Sequence, residues 1–88
     1  MLNQVVLVGR VKEWRNDKIF VLSIPSSEEE TVDIPITISE NMMDNVKNYM
    51  EINSVVGVKG KFMNNDNHKV ILFSDRISYL SSGKGDEV

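Results

Sequence analysis

The side chains here that are fitted to chemistry are cations and one indole. Arg10, Lys12, Arg15 and Lys18 crowd a short stretch around Trp14, the single tryptophan. Lys59 and Lys61 form a second group, two positions apart, so on a strand they project from one face. Positive side chains that follow a phosphate backbone, beside a flat ring on which bases stack, are what sequence-indifferent capture of a single-stranded polynucleotide requires. Each has an ordinary alternative. The lysines can be solvated β-surface, and the first group can be a solvated hairpin. Trp14, set between Glu13 and Arg15 in a predicted loop, can offer a stacking platform or plug one end of a core. Tyr49 divides in the same way between approach to nucleic acid and packing from a helix. Phe20, Phe62, Phe73 and Tyr79 read as core.

Other chemistries lack residues. The chain has no cysteine, and His68 is its sole histidine, so neither a thiolate site nor a His–His metal pair can form. Asn64, Asp66 and His68 alternate as calcium-loop ligands do, but the glycine and terminal glutamate of such a loop are missing, which leaves a turn. The carboxylates fall in no recognisable catalytic motif, and no phosphate-cradling G-x-x-x-x-G-K-S/T occurs. The expectation is a non-enzymatic protein with no metal and no cofactor.

The net charge of -3 does not by itself favour a polyanion partner. Its distribution matters more. Glu28, Glu29 and Glu30 form one acidic run and Asp86 and Glu87 lie near the end; without them the chain is weakly positive. No stretch reads as a signal peptide or an apolar span, so a cytoplasmic location away from membranes is expected. Eighty-eight residues suffice for one domain with a small core, a size at which association with further copies adds useful stability.

Elements that would position the candidates follow from periodicity. Residues 4–11 are rich in β-branched side chains and read as a strand buried on both faces, with Gly9 marking a bend or bulge. Residues 13–18 are polar and turn-like. Residues 19–24 alternate, with Phe20, Leu22 and Ile24 on one face. After Pro25 and the acidic loop, Val32, Ile34, Ile36 and Ile38 alternate again, and Pro35 marks an edge or a break. Ser39 is a plausible N-cap for one helix carrying Met42, Met43, Val46, Tyr49 and Met50 at helical spacing. Residues 55–63 form a fourth strand, 64–67 a hairpin turn, and 69–73 with 77–80 a last strand or strand pair. Residues 1–80 form the predicted domain and 81–88 a short flexible acidic tail.

Four segments, in order, resemble bacterial single-stranded-DNA-binding proteins. Asn3-Gln4-Val5-Val6-Leu7-Val8-Gly9-Arg10-Val11 is similar to that family's first strand, N-x-V-x-L-V-G-R-L, and Ile34-Pro35-Ile36 to the I-P-V of its third. Tyr49 through Phe62 resembles the tyrosine that ends the helix and the V-x-V-x-G that follows. Asp75-Arg76-Ile77-Ser78-Tyr79-Leu80 resembles the closing segment. The resemblance implies an all-β, five-stranded OB-fold Greek-key barrel with one short helix between strands three and four. It implies binding of single-stranded DNA, with RNA left open, and a tyrosine at Tyr49 that can approach it; the residues that read as the other contacts are Arg10, Lys12, Trp14, Arg15, Lys18, Lys59 and Lys61. It also implies a homodimer joined across Asn3, Gln4, Val6 and Val8, with a homotetramer as its doubled form. Asp33 and Ser39 stand where the family carries stacking aromatics, and the loop at residues 64–67 is short. A short primosomal, plasmid, phage or accessory relative is therefore expected. The rival expectation is a dimeric adaptor similar to primosomal replication protein B, which meets replication or primosome proteins and binds nucleic acid weakly.

Overall fold

Runs in which every second residue is apolar cannot bury their side chains as helices, and they pair here as five strands around one helix. The structure is a computed structural model that describes residues 3–64, 66–67 and 69–81. The strands are β1 (Gln4–Asn16), β2 (Ile19–Pro25), β3 (Thr31–Thr37), β4 (Val55–Asn64) and β5 (Val70–Ser81); α1 (Glu40–Tyr49) lies between β3 and β4. The strands close into a barrel in the order β1-β2-β3-β5-β4. All neighbours are antiparallel except β3 and β5, which run parallel and pair only at Ile36–Leu72 and Thr37–Phe73. This is the five-stranded OB-fold barrel with its single helix between the third and fourth strands.

β1 closes the barrel because it serves two partners. Gln4 to Arg10 pair with β4, and Arg10 to Asn16 pair with β2. At the changeover Gly9 is buried, and any Cβ there would meet the backbone carbonyl of Ser23. Two bulges, at Lys12 and Arg15, interrupt the β1–β2 register. Bulges bend a strand and increase its twist, which is how a strand turns a barrel corner.

The core comprises Val11, Phe20, Leu22, Ile36, Ile38, Val46, Met50, Val56, Val58 and Leu72. Full burial of one such side chain contributes about 1.5–3 kcal/mol. Helix α1 covers one end of the barrel with Val46 and Met50, while Met42 and Met43 pack against it half-buried. Ser39 is the N-cap, but its hydroxyl makes no capping bond; its carbonyl accepts the Met42 N–H at 3.1 Å. Asn53 follows the helix in the left-handed region, φ 71°, which asparagine tolerates. Its N–H donates to the Val11 carbonyl at 2.7 Å, and the Val11 N–H donates to Ser54 O at 2.9 Å.

Several expectations change. β1 is not buried on both faces: Val6 is 69% and Val8 49% exposed, on the outer side of the sheet. The polar stretch after Lys12 is strand as far as Asn16, and the turn shrinks to Asp17 and Lys18, where the Lys18 N–H donates to Asn16 Oδ1 at 2.8 Å. The last strand is one piece, bent at a bulge. Pro35 sits just before the short β3–β5 seam, where the other edge of β3 has no strand partner among the described residues, as its missing N–H demands. His68 and the tail beyond Ser81 lie outside the described residues.

Candidate nucleic-acid interface

The first basic group is dispersed along β1 and its turn. Arg10 reaches away from the turn, and its Nη1 donates to the Asn53 carbonyl at 2.8 Å. Lys12 Nζ meets Asp33 Oδ2 at 2.6 Å. That hydrogen bond, and the negative charge behind it, raise the Lys12 pKa above its ordinary 10.5. Lys18 Nζ lies 3.7 Å from Glu40, and Lys47 Nζ 3.2 Å from Asp17. Lys12, Lys18 and Lys47 are thus neutralised in place. Arg15, an extra residue in the second β1 bulge, has no hydrogen-bond or ion-pair partner among the described residues.

Trp14 is a strand residue rather than a loop residue. Strict alternation from Val11 would turn it outward, but the Lys12 bulge shifts the parity and sets it opposite Phe20. The ring centroids are 5.7 Å apart and the planes tilted by 57°, a favourable aromatic geometry. One side of the indole is therefore committed to the core. The other lines an open cleft of about 330 Å³ with Arg15, Asn16, Asp17 and Lys47.

Lys59 and Lys61 lie on the outer face of the β1–β4–β5 sheet. Antiparallel partners share a face, so this surface reads as rows running across the three strands. Val8, Gly57 and Ser78 form one row; Val6, Lys59 and Arg76 the next; Gln4, Lys61 and Phe73 a third. Arg76 was not singled out by the sequence reading, and Phe73, expected in the core, stands half-buried on this outer face instead. Ser74 is buried and its hydroxyl donates to the Thr37 carbonyl at 2.9 Å, so alternation would turn Arg76 inward as well. The bulge at Asp75, where Lys59 faces Arg76 but Gly60 faces Ser74, turns it out instead. Lys59, Lys61 and Arg76 have no hydrogen-bond or ion-pair partner among the described residues.

Three more aromatic positions differ from expectation, among them Tyr79, which was expected in the core and is 39% exposed. Tyr49 is 65% exposed and packs on Tyr79, not on the core, with centroids 6.2 Å apart. The Tyr79 hydroxyl donates to Asn45 Oδ1 at 3.2 Å; burial, then the neighbouring Tyr49, raise its pKa. Phe62 lies largely exposed near the β4–β5 turn, where Asn3 extends the ladder in place of backbone: its Nδ2 donates to the Phe62 carbonyl at 2.7 Å. Among the described residues no cluster of three or more His, Asp or Glu could hold a metal, and no helix is long and apolar enough to cross a membrane.

No protein-family model and no curated protein sequence matches the chain. Solved structures do. The mitochondrial single-stranded-DNA-binding protein Rim1 of S. cerevisiae superposes with a TM-score of 0.79 at 17% identity, covering 94% of this chain and 99% of that one. A dimeric structure of the N-terminal domain of PriB protein from Thermoanaerobacter tencongensis gives 0.75 at 23% identity, covering 91% and 98%. The small single-stranded-DNA-binding protein of Streptomyces coelicolor gives 0.72 at 14% identity, covering 90% and 94%. Across nearly the whole described chain, the fold is the OB barrel that these proteins share.

Proposed function

We propose that the protein binds single-stranded DNA without catalysing a reaction, tracking phosphates with exposed cations and adding limited base stacking. One observation carries this reading: a chain of net charge -3 leaves Arg15, Lys59, Lys61 and Arg76 without a carboxylate partner among its described residues. Exposed cations that no carboxylate neutralises are free to replace the counterions condensed on a polynucleotide. Lys12 and Lys18 contribute only by exchanging Asp33 and Glu40 for phosphate, and Arg10 only by leaving the Asn53 carbonyl. Trp14 offers the free side of its indole beside Arg15, and Tyr49 an exposed ring beside Tyr79.

The working unit in this reading is a homodimer joined through the first half of β1. From Gln4 to Gly9 that strand pairs with β4 on one side and with no described strand on the other. An open edge of this kind, with Val6 and Val8 exposed beside it, is a template for pairing with a second copy. Asn3 and Gln4 lie at its start. Light scattering at micromolar concentration should give a dimer for the wild type and a smaller mean mass for Val6→Lys; a monomeric wild type would remove this interface.

The test of function is titration of a labelled oligodeoxythymidylate across a range of salt. We expect weak binding whose logarithm falls steeply and linearly with log salt, by roughly 0.7 per phosphate contact. No detectable binding at low salt would refute the reading and favour the protein-interaction module.

A further inference from the structure

The outer face of β4 and β5 holds an arrangement that folding alone does not explain. Lys59 stands directly opposite Arg76, and like charges in that position destabilise a sheet. Lys61 lies on the same face two residues along β4, about 6.6 Å from Lys59 at strand rise. β4 contains no acidic residue, and β5 contains only Asp75, the extra residue of the bulge, which makes no ion pair. Elsewhere Lys12, Lys18 and Lys47 each have a carboxylate, and Arg15 stands singly without one among the described residues. Here three stand side by side, none with a carboxylate partner among the described residues.

Phe73 adds an apolar surface to the same face. It stands opposite Lys61, is half-buried, and forms one wall of a cleft of about 450 Å³ that also includes Thr37, Ser39, Asn41 and the Lys18–Glu40 ion pair. Consecutive rows on this sheet are separated by a distance comparable to that between successive phosphates of an extended single strand. The cleft beside the aromatic wall carries a hydroxyl and a carboxamide, groups able to meet the polar edge of a base.

Building on the proposed binding of single-stranded DNA, we infer that its phosphate backbone crosses the outer face of β4 and β5 along Lys59, Arg76 and Lys61. A base then lies against Phe73 in the adjoining cleft. Arg76 is the central contact, because its planar fork can hold a phosphate while relieving the repulsion from Lys59. The face that sequence pattern marks first, around the β1–β2 turn, is the lesser one. The same three cations disfavour stacking a second copy face to face on this surface, which would bring like charges together out of water.

The test uses the full chain and a fluorescein-labelled oligodeoxythymidylate, followed by anisotropy across a salt series. Two variants are compared with the wild type: the triple variant Lys59→Gln/Lys61→Gln/Arg76→Gln, and Lys47→Gln, which removes a cation already paired with Asp17. The first should lower affinity at least about tenfold at low salt and reduce the salt slope by about 2, three contacts at about 0.7 each. Its melting temperature should stay level or rise, because the like-charge contact is gone. The second should keep nearly the full slope. Phe73→Leu should weaken binding without changing the slope, since stacking releases no counterions. If the triple variant melts early, Arg76→Gln alone should still reduce the slope by about 0.7. A wild type that binds while the triple variant keeps its slope overturns this inference and leaves the function standing. A wild type that does not bind overturns both.

Discussion

Two basic surfaces of the barrel differ in what stands beside their cations. Around β1 and its turn are Lys12, Arg15 and Lys18, of which two are held by Asp33 and Glu40. Across β4 and β5 are Lys59, Lys61 and Arg76, none of them held by a carboxylate among the described residues. Counting lysines and arginines favours the β1 side, which also carries Arg10. Affinity for a polyanion depends instead on charge left unneutralised, because a lysine already paired with a carboxylate must break that pair before it can displace a counterion. Exposed pairs of this kind stabilise a fold by only about 0–1 kcal/mol. Their larger consequence here is to silence one face.

The comparison can be broken most severely at Gly60. A Cβ there would collide with the backbone carbonyl of Phe73, next to the bulge that turns Arg76 outward. Gly60→Ala should cost about 1–3 kcal/mol of stability by overpacking, read as a lower urea midpoint. It should also flatten the salt slope, as Arg76 is displaced from Lys59. A variant as stable as the parent, with the parent's slope, would mean that the bulge does not organise this face.

Trp14→Ala probes the other face. Removing a half-buried indole from Phe20 should destabilise the fold by roughly 2 kcal/mol, below the 3–5 typical of a fully buried aromatic. Affinity should change by less than the about 1–3 kcal/mol that a full base stack supplies, because only one side of the ring is free. Chemical denaturation and anisotropy on the same samples separate the two effects. Unchanged stability with affinity more than tenfold lower would move the principal site to the β1–β2 side.

Asp33→Asn is the gentlest change and has the opposite sign. It releases Lys12 from its carboxylate while leaving a side chain of nearly the same shape. Binding should strengthen and the salt slope steepen by about 0.7, with stability within about 1 kcal/mol of the wild type. Weaker binding would show that the Lys12–Asp33 pair itself supports the interface.

Much of this architecture was legible in the residues. Alternating apolar positions from Phe20 to Ile24 and from Val32 to Ile38, the helical spacing of Met42, Val46 and Met50, and the Gly9-Arg10 and Ile34-Pro35-Ile36 segments placed every strand and the helix. The lysines at 59 and 61 were correctly placed on one outward face. These are properties of local periodicity, which a sequence displays directly. What it could not display was any reversal of that periodicity. A single extra residue at Lys12 turned Trp14 from the surface to the side of Phe20, and one at Asp75 turned Arg76 from the interior to the side of Lys59. Side chains alternate with a period of two, so one unpaired residue inverts every assignment beyond it.

The pairing of charges was equally beyond the sequence. Lys12 and Asp33 lie on different strands, and Lys18 and Glu40 on a turn and a helix; nothing in their order says that they meet. Local order along the chain fixed the elements, the inward sides of their regular stretches and the chemical classes available to them. Closure of the barrel decided which cations are neutralised and which aromatic rings are buried. Both depend on contacts between residues far apart in the chain, and those form only when β1, serving two partners, brings its neighbours together.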